Sequence, residues 1–169
     1  MIIFLTGPSG SGKTDTSWEL LKKFDDLTFL DCDWFASKIP FSWEKCKDVE
    51  MVYKSLAKMI QFHMREYQKK NFVITLTSQM AATFESQKSI FDFAKMPMYA
   101  FRLRCSNEVL QQRIHDRNRV QKDQELKDAL KQQQFFDETF PNNDLFIMID
   151  VTKLSEPEVV DVIYSHIKA

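Results

Sequence analysis

Residues 2–14 read Ile2-Ile3-Phe4-Leu5-Thr6-Gly7-Pro8-Ser9-Gly10-Ser11-Gly12-Lys13-Thr14: an apolar run, then eight residues that fit G-x-x-x-x-G-K-[ST]. All three glycines of the 169-residue chain fall in those eight, where an average soluble protein of this length has roughly a dozen in all. Glycines so placed let the backbone curl round an anion with its N–H groups inward, and the helix that follows turns its positive end to the same point. Lys13 is placed for the β- and γ-phosphates of a nucleoside triphosphate, and the Thr14 hydroxyl for Mg²⁺. The expected phosphate cradle is therefore Gly7, Ser9, Gly10, Ser11, Gly12, Lys13 and Thr14.

Outward from this phrase the chain alternates. Apolar runs recur at 2–6, 27–31, 72–77, 98–104 and 145–149, near-continuous and rich in β-branched and aromatic residues, as suits parallel strands covered on both faces. Helical patterns fill the intervals at 13–24, 48–69, 83–95, 107–117 and 123–138, with a last helix after Ser155. The stretch 48–69 sets Val52, Leu56, Met59, Ile60, His63 and Tyr67 on one stripe, and His63 there reads as a core histidine. Ser155-Glu156-Pro157-Glu158 is a capping box, with Leu154 and Val159 spaced for a hydrophobic staple. Strand and helix in such repetition predict a three-layer α/β architecture with right-handed crossovers. No repeat, linker or low-complexity tract interrupts it, so one domain spanning 1–169 is expected.

Bulk composition narrows the class. A net charge of −1 offers no electrostatic footing for nucleic acid or an anionic membrane, and no apolar run approaches the length of a membrane span. Met1 leads straight into the first strand, leaving no room for a signal peptide. Cys32, Cys46 and Cys105 lack metal or redox spacing and read as buried, reduced thiols. A cytoplasmic protein, monomer or homodimer, is the expectation.

Two further constellations bear on chemistry. Asp31-Cys32-Asp33 ends the second apolar run, at the carboxyl rim where open α/β sheets bind ligands. Phosphoryl transfer needs a metal held through carboxylate or water and a group to orient the acceptor hydroxyl. The two aspartates can divide those tasks; the alternative is a solvated turn or a helix cap. Arg113, Arg117 and Arg119 cluster at and beyond the end of the 107–117 helix, suited to triphosphate oxygens and transferred charge, or else a solvated basic helix end. Arg102 and Arg104 alternate on a strand and read as ion-pair partners of a neighbouring helix. No D-x-x-G or N-K-x-D exists, which excludes a signalling GTPase. Motor and transporter ATPases need a larger core with an acid on a central strand. Only two apolar runs here end in an acid, Asp150 too late for that role and Asp31 in a short, early run followed by Asp33.

GPSGSGKT after a strand, D-x-D after the second, then LRCSNEVLQQRIHDRNR (103–119) and IDVTKLSEPEVVDVI (149–163) resemble the small P-loop kinases: adenylate, shikimate and gluconate kinases and their nucleoside and antibiotic kinase relatives. The resemblance implies a P-loop NTPase fold with a five-stranded parallel sheet of order 2-3-1-4-5. It also implies an acceptor-binding segment at about 34–70 and a lid over ATP at about 117–127. By it, Arg113 corresponds to the arginine beside adenine and phosphates, and Arg117 to the lid-base arginine. Asp33 corresponds to the acid nearest the acceptor and the candidate base, which leaves Asp31 with Thr14 for Mg²⁺. Asp150-Val151-Thr152 corresponds to the loop passing the adenine.

The departures are informative. The lid lacks zinc-ligand cysteines, and no arginine precedes Arg65, so the forks that grip a phosphate-bearing acceptor are missing; Lys38, Lys45 and Lys47 are point charges. Trp34, Phe35, Phe41 and Trp43 line an acceptor pocket or pack between helices; Thr77, Ser78 and Gln79 bind acceptor hydroxyls or cap the next helix. The expected activity is transfer of the γ-phosphate of Mg-ATP to a hydroxyl of a nucleoside, sugar, polyol or drug-like molecule, with Lys13, Asp33, Arg117 and Arg119 catalytic. The alternatives are a nucleoside monophosphate kinase, a polynucleotide 5′-kinase and a non-catalytic ATP-binding regulatory protein.

Overall fold

The structure, a computed structural model, describes residues 1–36, 42, 45–117, 120–141 and 145–168. Five strands, β1 (Ile2–Thr6), β2 (Leu27–Asp31), β3 (Asn71–Thr75), β4 (Met98–Arg104) and β5 (Ile147–Asp150), form one parallel sheet of order β2-β3-β1-β4-β5. Among the described residues six helices accompany them: α1 (Lys13–Lys23), α2 (Cys46–Tyr67), α3 (Ser78–Gln87), α4 (Asn107–Asp116), α5 (Lys122–Thr139) and α6 (Glu156–Lys168). Short 3₁₀ stretches follow β2 at Cys32–Phe35 and α3 at Lys88–Ala94.

The central strand shows why the apolar runs are unbroken. Ile2 and Phe4 enter a core with Val52, Leu56 and Ile60 of α2, Met80 and Phe84 of α3, and Phe136 of α5. Ile3 and Leu5 enter a second core with Leu20 of α1, Leu110 and Ile114 of α4, and Val160 and Ile163 of α6. Successive side chains on a strand point to opposite faces, so a strand covered on both must be apolar at every position.

The strongest local signals hold. Glu158 accepts from the Ser155 amide at 2.8 Å and from its hydroxyl at 2.7 Å, and Leu154 and Val159 share the second core. Arg102 donates to the Phe136 and Phe140 carbonyls of α5 at 3.0 and 3.3 Å, and both it and Arg104 pair with Asp137. The strand arginines thus fix α5 against β4.

Other expectations are corrected. The third helical pattern begins at Ser78 rather than 83, because the Thr77 hydroxyl accepts from the Met80 amide at 3.2 Å and starts α3 at the end of the sheet. Its second half, Lys88–Ala94, is 3₁₀ rather than α-helix. β3 ends at Thr75, and β5 starts at Ile147, Leu145 and Phe146 packing ahead of it. His63 is not a core residue: it lies near the end of α2 between the rings of Phe62 and Tyr67, both well exposed. Cys46 is exposed at the first residue of α2, whereas Cys32 and Cys105 are buried. With glycine confined to one loop, two other residues among those described turn the chain at positive φ: Gln68 (55°) after α2 and Lys95 (50°) after the second 3₁₀ stretch.

Candidate active site

The loop between β1 and α1 takes its shape from its glycines. Gly7 (φ 144°) would drive a Cβ into the Leu103 carbonyl oxygen of β4. Gly10 (φ 83°) would bring one to 3.0 Å from Ile114 Cγ1 of α4. Only a residue without a side chain adopts that backbone so close to its neighbours. The loop folds over the start of α1, and the Lys13 ammonium donates to the Gly7 and Pro8 carbonyls at 2.8 and 3.0 Å. Burial pushes the Lys13 pKa below the ordinary lysine value, while Asp33 and Asp31 draw it back.

Across a cleft of about 340 Å³ stand the carboxylates, with Lys13, Thr14, Asp31, Asp33, Thr75, Thr77, Ser78, Gln79, Arg117 and Gln132 among its lining residues. Asp31 accepts from the Asp33 amide at 3.0 Å and so caps the 3₁₀ turn Cys32–Phe35. The cap reading and the cleft reading of this acid hold together. The Asp33 carboxyl opens on the cleft, yet loss of hydration within the concavity raises its pKa, Asp31 raises it further, and Lys13 opposes both. Thr77 likewise does two things, capping α3 and facing the cleft.

Arginines close the loop from α4. Arg113 donates to the Ser11 carbonyl at 3.3 Å and braces the cradle from behind. Arg117, at the helix end, lines the cleft and pairs with Glu125 at 3.3 Å. Arg119 lies outside the described residues, as do Lys38, Phe41 and Trp43. Asp150 and Thr152 do not line the cleft. Asp150 accepts from the Thr152 amide, and the Thr152 hydroxyl accepts from the Ser106 amide, both at 2.9 Å, which ties the end of β5 to the start of α4. Trp34 is 57% exposed and packs on Phe29 at 5.4 Å rather than lining the cleft.

Sequence reasoning missed the contribution of α5. Gln132 accepts from the Ser9 amide at 2.9 Å, and Glu125 from the Ser9 hydroxyl at 2.8 Å, so both reach the phosphate loop. Glu125, Ala129 and Gln132 share one helical stripe; that spacing was legible, but which neighbour the stripe meets was not. A larger groove, about 860 Å³, runs along the outer face of α2 past Met51, Met59 and Phe62. Lys47, Glu50, Lys54, Ser55 and Lys58 also line it, but none of its described lining residues belongs to the phosphate loop, and the smaller cleft with Lys13, Asp31 and Asp33 is the candidate site.

The residues present fit a hard divalent cation. Carboxylate oxygens of Asp31 and Asp33 and the Cys32 sulfur lie within 4.8 Å of one another. Burial pushes the Cys32 thiol far up, and the two carboxylates beside it offer oxygen donors of the kind Mg²⁺ takes.

A parallel sheet of this order, with a phosphate loop between β1 and α1 and carboxylates at the tip of β2, defines the small P-loop kinase fold. A family model described as an AAA domain matches residues 2–138, and the chain belongs to that family. Solved structures share the fold. The tunicamycin resistance protein of Deinococcus radiodurans is 15% identical with a TM-score of 0.69, over 98% of this chain and 94% of its own. A sugar kinase from Janibacter sp. HTCC2649 is 17% identical with a TM-score of 0.69, over 99% and 94%. Shikimate kinase from Bacteroides thetaiotaomicron is 17% identical with a TM-score of 0.68, over 100% and 99%. No curated protein matches the chain by sequence.

Proposed function

We propose that this chain is an ATP-dependent phosphotransferase that moves the γ-phosphate of Mg-ATP to a hydroxyl of a small, uncharged acceptor, and that residues 1–169 act as one kinase domain. The observation that carries this reading is the cleft: Lys13 of the phosphate loop and Asp33 face one polar space. Among its described lining residues the only cations are Lys13 and Arg117. Both belong to the nucleotide side. Arg65 is 86% exposed and paired with Glu66 at the far end of α2, so it supplies no fork for an acceptor phosphate. The sugar and shikimate kinases that share the fold support a hydroxyl acceptor.

The chain's own groups then have defined tasks. Loop amides and Lys13 hold the β- and γ-phosphates, and Arg113 braces the loop. Thr14 and Asp31 would hold the metal, which when bound neutralises triphosphate charge. Asp33 orients the acceptor hydroxyl and takes its proton as the oxygen bonds to the γ-phosphorus and the bond to the β-phosphate oxygen breaks, releasing ADP. Arg117 and Arg119 meet the charge of the transferred group. Asp150 and Thr152 border the adenine.

The test follows label from γ-labelled ATP into a panel of neutral hydroxyl compounds and nucleoside monophosphates. Transfer to a neutral acceptor is expected, lowered by about 10²–10⁴-fold in Asp33→Asn and by a similar factor in Lys13→Ala. Transfer to monophosphates alone would overturn the acceptor assignment, and ATP binding without transfer to any acceptor would overturn the kinase.

A further inference from the structure

Four buried side-chain atoms among the described residues have no hydrogen-bond partner: Ser11 Oγ, Thr75 Oγ1, Arg102 Nε and Gln133 Oε1. Of these four residues, Thr75 alone lines the cleft. It is 2% exposed, and a hydroxyl so buried loses its hydration with nothing in return. Its position is specific. Thr75 ends β3, in register with Asp31 on β2 to one side and Leu5 on β1 to the other. On the same strand Phe72 and Ile74 enter the core beneath α2, while Val73 enters the core beneath α1. By alternation Thr75 shares the α1 side, the side on which Lys13 and Thr14 begin that helix.

We propose that the Thr75 hydroxyl is a positioning group for the divalent cation, hydrogen-bonding a water of the ion between Thr14 and Asp31. This rests on the phosphotransferase reading above and adds a residue to it. A magnesium ion gives up its waters reluctantly and is held partly through them, so a site with few direct ligands needs oxygens that receive those waters. Thr75 supplies one from the strand beside Asp31. The unpaired hydroxyl, a cost to the fold, is then explained by what it does once the metal nucleotide arrives.

The discriminating variants are Thr75→Val, which replaces the hydroxyl by a methyl of the same shape, and Thr75→Ser, which keeps it. The readouts are Mn²⁺ binding in the presence of ADP, followed by electron paramagnetic resonance, and the melting temperature of the ligand-free protein. Thr75→Val should weaken Mn²⁺ by about tenfold or more, as loss of an outer-shell partner does, while melting at the same temperature or higher. Thr75→Ser should bind as the wild type does. Equal Mn²⁺ affinity in wild type and Thr75→Val would overturn this inference and leave the kinase standing. A lower melting temperature in Thr75→Val, with Mn²⁺ affinity intact in the folded fraction, would also overturn it by making the hydroxyl structural. Wild-type protein that fails to bind Mn²⁺ with ADP would overturn the parent reading and this one together.

Discussion

Asp33 carries opposite demands. Its pKa is raised first by lost hydration, then by Asp31, so its ionised form is disfavoured in the fold relative to the open chain. A carboxyl raised on folding costs nothing below its unfolded pKa and costs its full amount above its folded one. The penalty grows as pH rises from the ordinary aspartate range. Asp33→Asn should therefore raise the melting temperature at pH 7 and change it little near pH 3, while transfer falls to the residual level given above. The same shift fixes the acid limb of the rate: activity should rise as pH climbs through a value above the ordinary aspartate range, and that limb should vanish in Asp33→Asn. The phosphate loop, Asp31, Asp33, Arg113 and Arg117 were legible because their chemistry is written in short spacings. Thr75, Glu125 and Gln132 were not, since what singles them out is who stands opposite: an orphaned hydroxyl, and a helix stripe that meets Ser9.

Elements obeyed the sequence where their ends are set by local bonds. Ser155 with Glu158 fixes α6, and Ser106, accepting from the Val109 amide, fixes α4. The start of α3 escaped because Thr77-Ser78-Gln79 suits a ligand rim as well as a cap; in the fold Thr77 caps α3 and all three line the cleft. α5 depends on partners far away in sequence. Its Asp137 receives Arg102, which is 2% exposed, and Arg104. Burial alone would raise the Asp137 pKa, but the bonds from the two arginines outweigh it and hold the carboxyl below the usual range. Stability from such a group is complete above the unfolded pKa and fades as pH falls through the folded one. Asp137→Ala should destabilise by about 2 kcal/mol in urea melts at pH 7, the cost of a hydrogen bond to a charged group. The difference from wild type should shrink below the ordinary carboxylate pKa. Asp137→Asn, which keeps an acceptor, should lose less.

The molecule divides its buried side chains between two cores on either face of one sheet, and Lys13, Asp31, Asp33 and Arg117 gather at the carboxyl end of its strands, where helices begin. Among the described helices none is long and apolar enough to cross a membrane. The order of strands followed from resemblance rather than periodicity, because periodicity reports which faces are covered and is silent on which strand lies beside which. The concentration of glycine in the phosphate loop has a further outcome. Gln68 and Lys95 hold left-handed backbone that glycine adopts without strain, and each turns the chain remote from the cleft. Gln68→Gly and Lys95→Gly should each raise stability by about 0.5–1 kcal/mol in thermal melts, strain relief exceeding the added freedom of the open chain. Together they would give a laboratory lineage headroom, a chain robust enough to accept substitutions around the acceptor that the parent would not survive.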